Sequence, residues 1–349
     1  MPEIMKRVLK YYSAVAILMF LTPSCEEIIE FKGEKTEPKI VMYSMLNPDD
    51  TISVSLAKSH GVFDVRYTPQ QITNASVRLF RDGELVETLA YVAPEPCENC
   101  MPAEHSRYVS QGIRPVPGST YRIEAEVPGF KPVSAETGLP VLVPVMSIDT
   151  TTDAEEGYNT YLVTKVKFAD PGETANYYRI SVTRLEGYYN GDKSVPYRPE
   201  IPVQVTMSDD SYAATVDPII APEQEEDLFG IYSSNTYNVF SDELISGQEY
   251  DLTLKISFYR RPDTTYYEFT HFKIELHAIT KDMYLYLRSY AAHMQTRDSF
   301  FSEPVLVYSN VKDGLGVFGS GVISTANIEI GEYPVEGVNY TRGDGNWQE

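Results

Sequence analysis

Apolar and polar residues alternate over many short stretches of this chain, which predicts a protein built mainly of β-strands. In residues 51–57, for example, Ile52, Val54 and Leu56 alternate with polar residues. A period of two places these apolar side chains on one face of a strand. Comparable runs lie at residues 39–46, 75–81, 84–89, 121–127, 131–137, 145–149, 161–168, 177–185, 250–258 and 272–276.

Turn-forming residues separate these runs. Asp82-Gly83 stands between two strand-like runs and predicts a tight hairpin, because such turns need a positive φ at both central residues. Pro128-Gly129 and Asp170-Pro171-Gly172 mark further turns. The density of short strands before residue 140, about seven of them, predicts an immunoglobulin-like sandwich.

The predicted fold is all-β, with two β-rich domains. Pro140 and Pro144 mark the boundary between them. Residues 38–140 are predicted to form the immunoglobulin-like β-sandwich. Residues 141–349 are predicted to form a second, larger β-sandwich or barrel with one packed helix, because a chain of this length exceeds a typical single core.

The helix is predicted at about residues 281–295. Thr280 can cap its N-terminus, and Asp282 in the first turn complements the helix dipole. Apolar and aromatic residues then recur at helical spacing; they are Met283, Tyr286, Leu287, Tyr290, Ala291 and Met294. Such a stripe is more typical of packing against a sheet than of cofactor binding.

The first 25 residues have the pattern of an export signal that ends at a cysteine. Three basic residues precede a nine-residue apolar segment at 13–21; they are Lys6, Arg7 and Lys10. A permanent membrane-spanning helix needs about 20 apolar residues, so this segment fits a signal peptide instead. Cys25 follows the segment after a short stretch of small and turn-forming residues.

This ending resembles a bacterial lipobox, in which the cysteine receives a lipid and becomes the first residue of the mature protein. Leu21 lies one position further from Cys25 than the usual pattern has it. We therefore predict a lipoprotein signal peptide at residues 1–24, lipidation at Cys25 and a polar tether over residues 25–37. The membrane is then an expected partner through this lipid.

The charge of the chain limits its partners further. The formal net charge is −21. Such acidity repels the phosphates of nucleic acids and of anionic membrane surfaces, so we expect no nucleic-acid partner and no electrostatic attachment to a membrane.

Cys97 and Cys100 form the sharpest chemical motif of the mature chain. In an oxidising compartment the two can close a short disulfide in a proline-rich loop. The alternative is a metal site, because His105 adds a third ligand and Glu95 or Glu104 could complete it. The compartment favours the disulfide, and we expect no metal and no cofactor.

No familiar catalytic pattern occurs in the sequence, neither a nucleophile elbow, nor a zinc-protease motif, nor a phosphate-binding loop. His271 and His277 fall on one predicted strand, too far apart to share a metal. In adjacent tyrosine pairs such as Tyr177-Tyr178, one ring is expected on each face of a strand. An exposed tyrosine could stack on a sugar or a peptide, although tyrosines more often cover a sheet.

Three sequence blocks, together with Cys25, resemble the DUF4249 lipoproteins of Bacteroidetes-type bacteria. The blocks are residues 170–173 with 176–178, residues 241–247, and residues 300–305 with 308–311 and 314–319. We predict that the third block is mainly structural and ties the end of the helix to the final strands of the second domain, with Phe318 in its core. In this block Val305 and Val307 would alternate as in a strand, and the glycines from Gly314 to Gly319 would allow a tight return or a close backbone approach.

The resemblance implies no established activity. It implies a TonB-dependent outer-membrane receptor as a partner, and therefore a role near nutrient uptake. Glu26, Glu27 and Glu30 are similar to an acidic signal that sends such lipoproteins to the cell surface, although a solvated tether explains them equally well. We expect a non-enzymatic, lipid-anchored outer-membrane accessory protein. The alternatives are a structural or adhesive surface protein and a hydrolase with an unrecognised acid pair.

Overall fold

Strands form where the alternating pattern predicts them. A computed structural model of the chain describes residues 37–60, 70–93, 107–154, 159–189, 201–203, 217, 219–220, 235–259, 267–296 and 305–331. The strands within these ranges are β1 (Ile40–Leu46), β2 (Ser53–Lys58), β3 (Gln70–Gln71), β4 (Ser76–Arg81), β5 (Glu84–Thr88), β6 (Ala90–Val92), β7 (Arg107–Val109), β8 (Thr120–Glu126), β9 (Val133–Gly138), β10 (Val145–Ala154), β11 (Asn159–Ala169), β12 (Tyr177–Tyr189), β13 (Ile201–Val203), β14 (Val239–Ser241), β15 (Glu249–Tyr259), β16 (Tyr267–Ile279) and β17 (Leu315–Gly331). The described residues contain one helix, α1, at Lys281–Thr296.

These strands join into three sheets. The largest has ten strands, with the path β13-β12-β16-β17-β1-β2-β7-β6, while β14 pairs with β12 and β3 pairs with β2. A three-stranded sheet has the order β10-β11-β15, and a four-stranded sheet has the order β5-β4-β8-β9. The hairpin between β4 and β5 turns at Asp82 and Gly83, whose φ angles are 52° and 86°, so the turn predicted there is confirmed.

Strand β17 holds the large sheet together, because it pairs on both sides. Its residues Leu315 to Ser320 run parallel to β1, and its residues Gly321 to Gly331 run antiparallel to β16. A strand late in the chain thus joins the first described strand to the later ones. Gly316 has a φ of 102°, and a Cβ at this position would collide with the backbone carbonyl of Met42 on β1.

The buried side chains form three hydrophobic clusters. The first draws on β1, β2, β4, β8 and β9, and it also takes in Val311 and Phe318 from late in the chain. The second lies between the three-stranded sheet and the β12–β16 part of the large sheet. The third packs helix α1 on the opposite face of the large sheet, through Met283 and Leu287 against Ile279 and Val317.

The fold is therefore an all-β sandwich with one packed helix, and the predicted fold class and helix are confirmed. Residues 38–349 group as one compact unit, separate from residues 1–37. The division into domains at residue 140 stays a prediction. No helix among the described residues is long and apolar enough to cross a membrane.

Candidate functional site

The three cysteines on which the site predictions rest lie outside the described residues. Lipidation of Cys25 and a disulfide between Cys97 and Cys100 therefore stay predictions, as does the metal alternative with His105. Within the described ranges, no group of three or more His, Cys, Asp or Glu side chains is placed to hold a metal ion.

Two of the three sequence blocks meet at the buried carboxylate of Asp170. This carboxylate accepts hydrogen bonds from the backbone N–H groups of Gly172 and Gly247, both at 2.9 Å. It also accepts a hydrogen bond of 2.5 Å from the hydroxyl of Tyr178, which lies in the second hydrophobic cluster. Burial and this hydrogen bond raise the pKa of Tyr178. Asp170 thus fastens two turns to the core.

The two glycines at this junction are required for different reasons. Gly172 and Gly247 have φ angles of 70° and 71°, which L side chains rarely adopt, and a Cβ on Gly172 would lie 2.5 Å from the Cα of Gly247. Such a distance is shorter than any contact a real Cβ makes, so Gly172 also has no room for a side chain.

Two further buried acids are held in the same way. Asp242 accepts hydrogen bonds from the backbone and side-chain amides of Asn176, at 2.9 and 3.3 Å. Asp217 accepts hydrogen bonds from the hydroxyl of Tyr250 at 2.6 Å and the backbone N–H of Thr253 at 2.8 Å. These carboxylates link segments of the fold and are already engaged by donors.

The third block fastens helix α1 to β17. Tyr308 and Asn310 both donate hydrogen bonds to the carboxylate of Asp282, at 2.5 and 3.1 Å. Burial and the hydrogen bond to Asp282 raise the pKa of Tyr308 to about 12. The side chain of Asn310 also exchanges two hydrogen bonds with the backbone of Phe318, at 2.8 and 3.0 Å. Residues 300–304 of the block lie outside the described residues; from residue 305 onward these contacts agree with the predicted structural role.

Three expectations for this block are wrong in detail. Residues 305–311 form no strand, because side chains of α1 take up their backbone groups. The carbonyl of Val305 lies 2.9 Å from Nδ1 of His293, and the N–H of Tyr308 donates to the hydroxyl of Ser289 at 2.8 Å. Phe318 is fully buried, but in the first hydrophobic cluster, since β17 pairs with β1 there.

The glycines of this block form no tight return, because Gly316 and Gly319 lie within β17. The alternative predicted for them, a close backbone approach, is confirmed at Gly316, where a Cβ would collide with the carbonyl of Met42.

His277 is buried on β16 beside Ser181 of β12. Its Nε2 lies 3.0 Å from Oγ of Ser181 and 3.9 Å from the carboxylate of Glu275. Burial and the charges of Arg179 and Lys273 lower the pKa of His277 to about 4. The imidazole is therefore neutral near pH 7.

This arrangement is not a Ser–His–acid triad. In such a triad the acid holds the histidine nitrogen that faces away from the serine. Here Glu275 lies on the same side as Ser181, and Nδ1 of His277 is buried without a hydrogen-bond partner. His271 lies on the same strand, and one of its nitrogens contacts the side-chain oxygen of Asn327 at 2.9 Å.

Four tyrosines from three parts of the chain converge beside α1. We call Tyr43, Tyr237, Tyr286 and Tyr290 the tyrosine cluster. The ring centroids lie 6.1 Å apart for Tyr43 and Tyr286, 5.8 Å for Tyr286 and Tyr290, and 6.2 Å for Tyr237 and Tyr290. Tyr43 is 44% exposed and the other three are half-buried. The cluster therefore contacts both the protein and solvent.

The hydroxyl groups of Tyr286 and Tyr237 have raised pKa values. Burial raises the pKa of Tyr286, and repulsion from Tyr43, Tyr290 and Tyr237 raises it further. Burial raises the pKa of Tyr237 as well, with added repulsion from Tyr290 and Tyr43. Both hydroxyl groups therefore stay protonated at neutral pH and can donate a hydrogen bond.

Arg179 of β12 is the cation of this region. It lies opposite His277 of β16 and Val239 of β14. Val239 belongs to the cluster under α1, so this face of the sheet is the one that α1 covers. The charge of Arg179 partly offsets the burial that raises the pKa of Tyr43. Nε of Arg179 is buried without a hydrogen-bond partner, and no carboxylate of the described residues pairs with the guanidinium.

Only part of this site could be predicted from the sequence. The helical stripe placed Tyr286 and Tyr290 in the core together with Met283, Leu287 and Ala291. Only the last three are buried, while Met294, also of the stripe, is 37% exposed. Tyr177 and Tyr178 lie on opposite faces, as predicted. Tyr178 is in the core, and the ring centroid of Tyr177 lies 4.8 Å from that of Tyr284 on α1. An aromatic ring at an outward position of a strand, as at Tyr43, is the signal that could have marked the cluster.

One protein family matches most of this chain. A family model described as a domain of unknown function (DUF4249) matches residues 26–327. No curated protein matches the chain. The match spans most of the chain and contains the Asp170 junction, the third block and the tyrosine cluster, so the protein belongs to the DUF4249 family.

Proposed function

We propose that this protein is a non-enzymatic accessory protein, anchored by a lipid in the outer membrane, that works beside a TonB-dependent receptor. The observation that carries the anchoring is the N-terminal pattern of basic residues, a nine-residue apolar segment and Cys25. The family match begins at residue 26, directly after that cysteine. The region shared with the family thus starts one residue after the first residue that a processed lipoprotein would have.

The receptor partner is proposed from the family resemblance, which implies an origin in Bacteroidetes-type bacteria and genes that accompany such receptors. Glu26, Glu27 and Glu30 would then form the acidic signal for display at the cell surface. This placement agrees with the acidic composition of the chain, because attachment through a lipid needs no attraction to anionic headgroups.

A binding role agrees better than hydrolysis with the contacts of the buried acids. The hydrolase alternative needs two carboxylates that face a common cleft. Asp170, Asp217 and Asp242 are buried, and each accepts at least two hydrogen bonds from its neighbours. The tyrosine cluster, in contrast, offers partly exposed rings that can contact a ligand or a partner.

Anchoring is tested by changing Cys25. The Cys25→Ser protein is expected in the soluble fraction or as an unprocessed precursor, and the intact mass of the wild type is expected to include acyl chains. The Cys97→Ser/Cys100→Ser double variant is the matched control, since it removes thiols outside the lipobox and should stay in the membrane fraction. Membrane retention of Cys25→Ser, with no lipid mass on the wild type, would refute the anchor.

The receptor is tested by affinity purification of the detergent-solubilised protein from outer membranes. We expect a TonB-dependent receptor in near-stoichiometric amount, identified by mass spectrometry. Recovery of the anchored protein without any receptor would refute this part of the proposal. Binding of intact cells to a surface polymer, lost in a deletion strain, would then favour the adhesive alternative.

A further inference from the structure

The tyrosine cluster has the surface of a ring-binding site. Tyrosine rings offer rigid contact area with an apolar face and a polar tip. The rings of Tyr286 and Tyr290 are parallel to within 4° and lie one helical turn apart on α1. Tyr43 and Tyr237 extend this surface from β1 and from the turn before β14.

Arg179, the cation at this site, has no carboxylate partner among the described residues. Leaving a buried donor of a guanidinium unsatisfied lowers the stability of the folded protein. This chain carries 50 acidic residues against 29 basic ones, so an acidic neighbour for Arg179 would have been easy to supply. The fold therefore tolerates a guanidinium without an acidic partner at Arg179. An anion bound there would take the place of that partner.

The other charged groups of this face do not compensate Arg179. Lys273 lies 3.4 Å from Glu275, so these two charges offset each other. His277, opposite Arg179, is neutral near pH 7, and its Nδ1 is a further buried group without a partner. Within the described part of the chain, Arg179 therefore keeps a positive charge that no carboxylate pairs with.

From this arrangement we infer that the tyrosine cluster and Arg179 bind a small ligand that carries one carboxylate beside a flat or sugar-like ring. A planar guanidinium matches a carboxylate through two parallel hydrogen bonds. One carboxylate neutralises one cation, whereas a phosphate monoester brings about two negative charges at neutral pH. The rings supply stacking and the hydroxyls supply hydrogen bonds, which is the usual composition of a small-molecule site. The inference is independent of the lipid anchor and of the receptor, because it rests on the described residues alone.

Two chemical sources of this ligand can be distinguished with matched probes. Galacturonate is an acidic sugar with galactose as its neutral counterpart, and 4-hydroxybenzoate is an aromatic acid with 4-hydroxybenzyl alcohol as its counterpart. Binding to the detergent-solubilised full chain is measured by calorimetry and by ligand-observed NMR. We expect at least one carboxylate to bind and its neutral counterpart to bind about tenfold more weakly, since a hydrogen bond to a charged group contributes that much.

Variants identify the site. Arg179→Gln should weaken binding about tenfold. Arg78→Gln should leave it unchanged; Arg78 also has a buried Nε, but Glu124 and Glu126 pair with it at 3.0 and 2.6 Å. Tyr290→Leu should weaken binding several-fold through loss of one ring. Tyr91→Leu, which removes an exposed ring on β6, should have no effect.

Each outcome decides the inference. Binding of galacturonate alone assigns an acidic sugar, binding of 4-hydroxybenzoate alone assigns an aromatic acid, and binding of both assigns the ring carboxylate in general. The inference is overturned when neither carboxylate binds or when the neutral counterparts bind equally well. It is also overturned when Arg179→Gln and Tyr290→Leu, with wild-type circular dichroism and melting temperature, bind as the wild type does.

Discussion

Strand β12 separates two polar regions that differ in how completely their hydrogen bonds are satisfied. Tyr178 and Arg179 are neighbours in sequence, and their side chains lie on opposite faces of the sheet. On one face the hydroxyl of Tyr178 donates to Asp170, whose carboxylate also receives two backbone N–H groups. On the other face Nε of Arg179 and Nδ1 of His277 have no hydrogen-bond partner among the residues that the structure describes.

This difference separates groups that stabilise the fold from groups available to a ligand. Buried polar groups are almost always paired, so an unpaired group needs a separate explanation. The sequence blocks by which the chain resembles its family contribute the paired groups at Asp170 and Asp242 and the residues that fasten α1 through Asp282. The members of the tyrosine cluster lie outside these blocks. In this protein, therefore, the motifs that identify the family and the residues that form the candidate site are different residues.

The largest expected loss of stability follows from removing a core side chain of the third block. Phe318→Ala should lower the free energy of unfolding by about 3–5 kcal/mol, because a fully buried phenylalanine leaves a cavity in the first hydrophobic cluster. Denaturant unfolding followed by circular dichroism measures the change. Leu306→Ala is the control from the same block, since Leu306 is 90% exposed and its loss should change little. An unchanged Phe318→Ala protein would mean that the block is not structural.

A somewhat smaller loss is expected when the paired carboxylate is altered. Asp170→Asn keeps the size of the side chain but removes the charge that accepts three hydrogen bonds, so the free energy of unfolding should fall by about 3 kcal/mol. Asp251→Asn is the control, because the side chain of Asp251 is 50% exposed and lies 3.7 Å from Lys167. If Asp170→Asn and Asp251→Asn are equally stable, the hydrogen bonds of Asp170 do not stabilise the fold. The two faces of β12 would then not differ in the way described above.

A pH dependence of similar or smaller size is expected on the helix-covered face. The pKa of His277 is lowered from 6.5 to about 4, so between these pH values the unfolded chain binds a proton that the folded protein does not. Stability should therefore fall as the pH falls through this window, by about 3 kcal/mol in total, and the contribution is fully lost below pH 4.

The difference between the wild type and His277→Gln isolates this contribution from that of the many acids. Unfolding is measured from pH 7 to pH 4, and the wild type should lose more stability than His277→Gln over this range. His271→Gln is the matched control on the same strand and should retain the wild-type profile. Parallel profiles for the wild type and His277→Gln would show that the imidazole is not buried in its neutral form.

The smallest change is expected at Arg179. Arg179→Gln should lower the free energy of unfolding by no more than about 0.5 kcal/mol, because no partner among the described residues depends on this guanidinium. The same substitution should raise the pKa of His277, since Arg179 is one of the two cations that lower it, and the pH window of unfolding should shift upward. A stability loss above about 2 kcal/mol would assign Arg179 to the fold and not to a site.

Much of the fold could be predicted from local pattern. The alternation in residues 51–57 corresponds to β2, the Asp82-Gly83 signal to a hairpin, and the stripe from Met283 to α1. These features depend on the spacing of apolar and turn-forming residues along one segment. That spacing can be seen in the sequence itself. Val305 and Val307 show the limit of this approach, because hydrogen bonds from α1 prevent the strand that their alternation predicts.

The sequence by itself determined the strand-rich class and the helix, and it also contains the export-like N-terminal pattern and the family blocks. Each of these depends on residues that are close together in the chain. Only the tertiary structure decided that β17 joins β1 to β16, that Phe318 enters the first cluster, and that four tyrosines meet near Arg179. These outcomes depend on contacts between segments far apart in the chain. Tyr43 and Tyr290 are separated by most of the sequence, and their common surface exists only because β17 places β1 beside the strands that carry α1. Whether a charge is paired is likewise a property of the assembled faces, which is why Arg179 could not be singled out before the sheet was known.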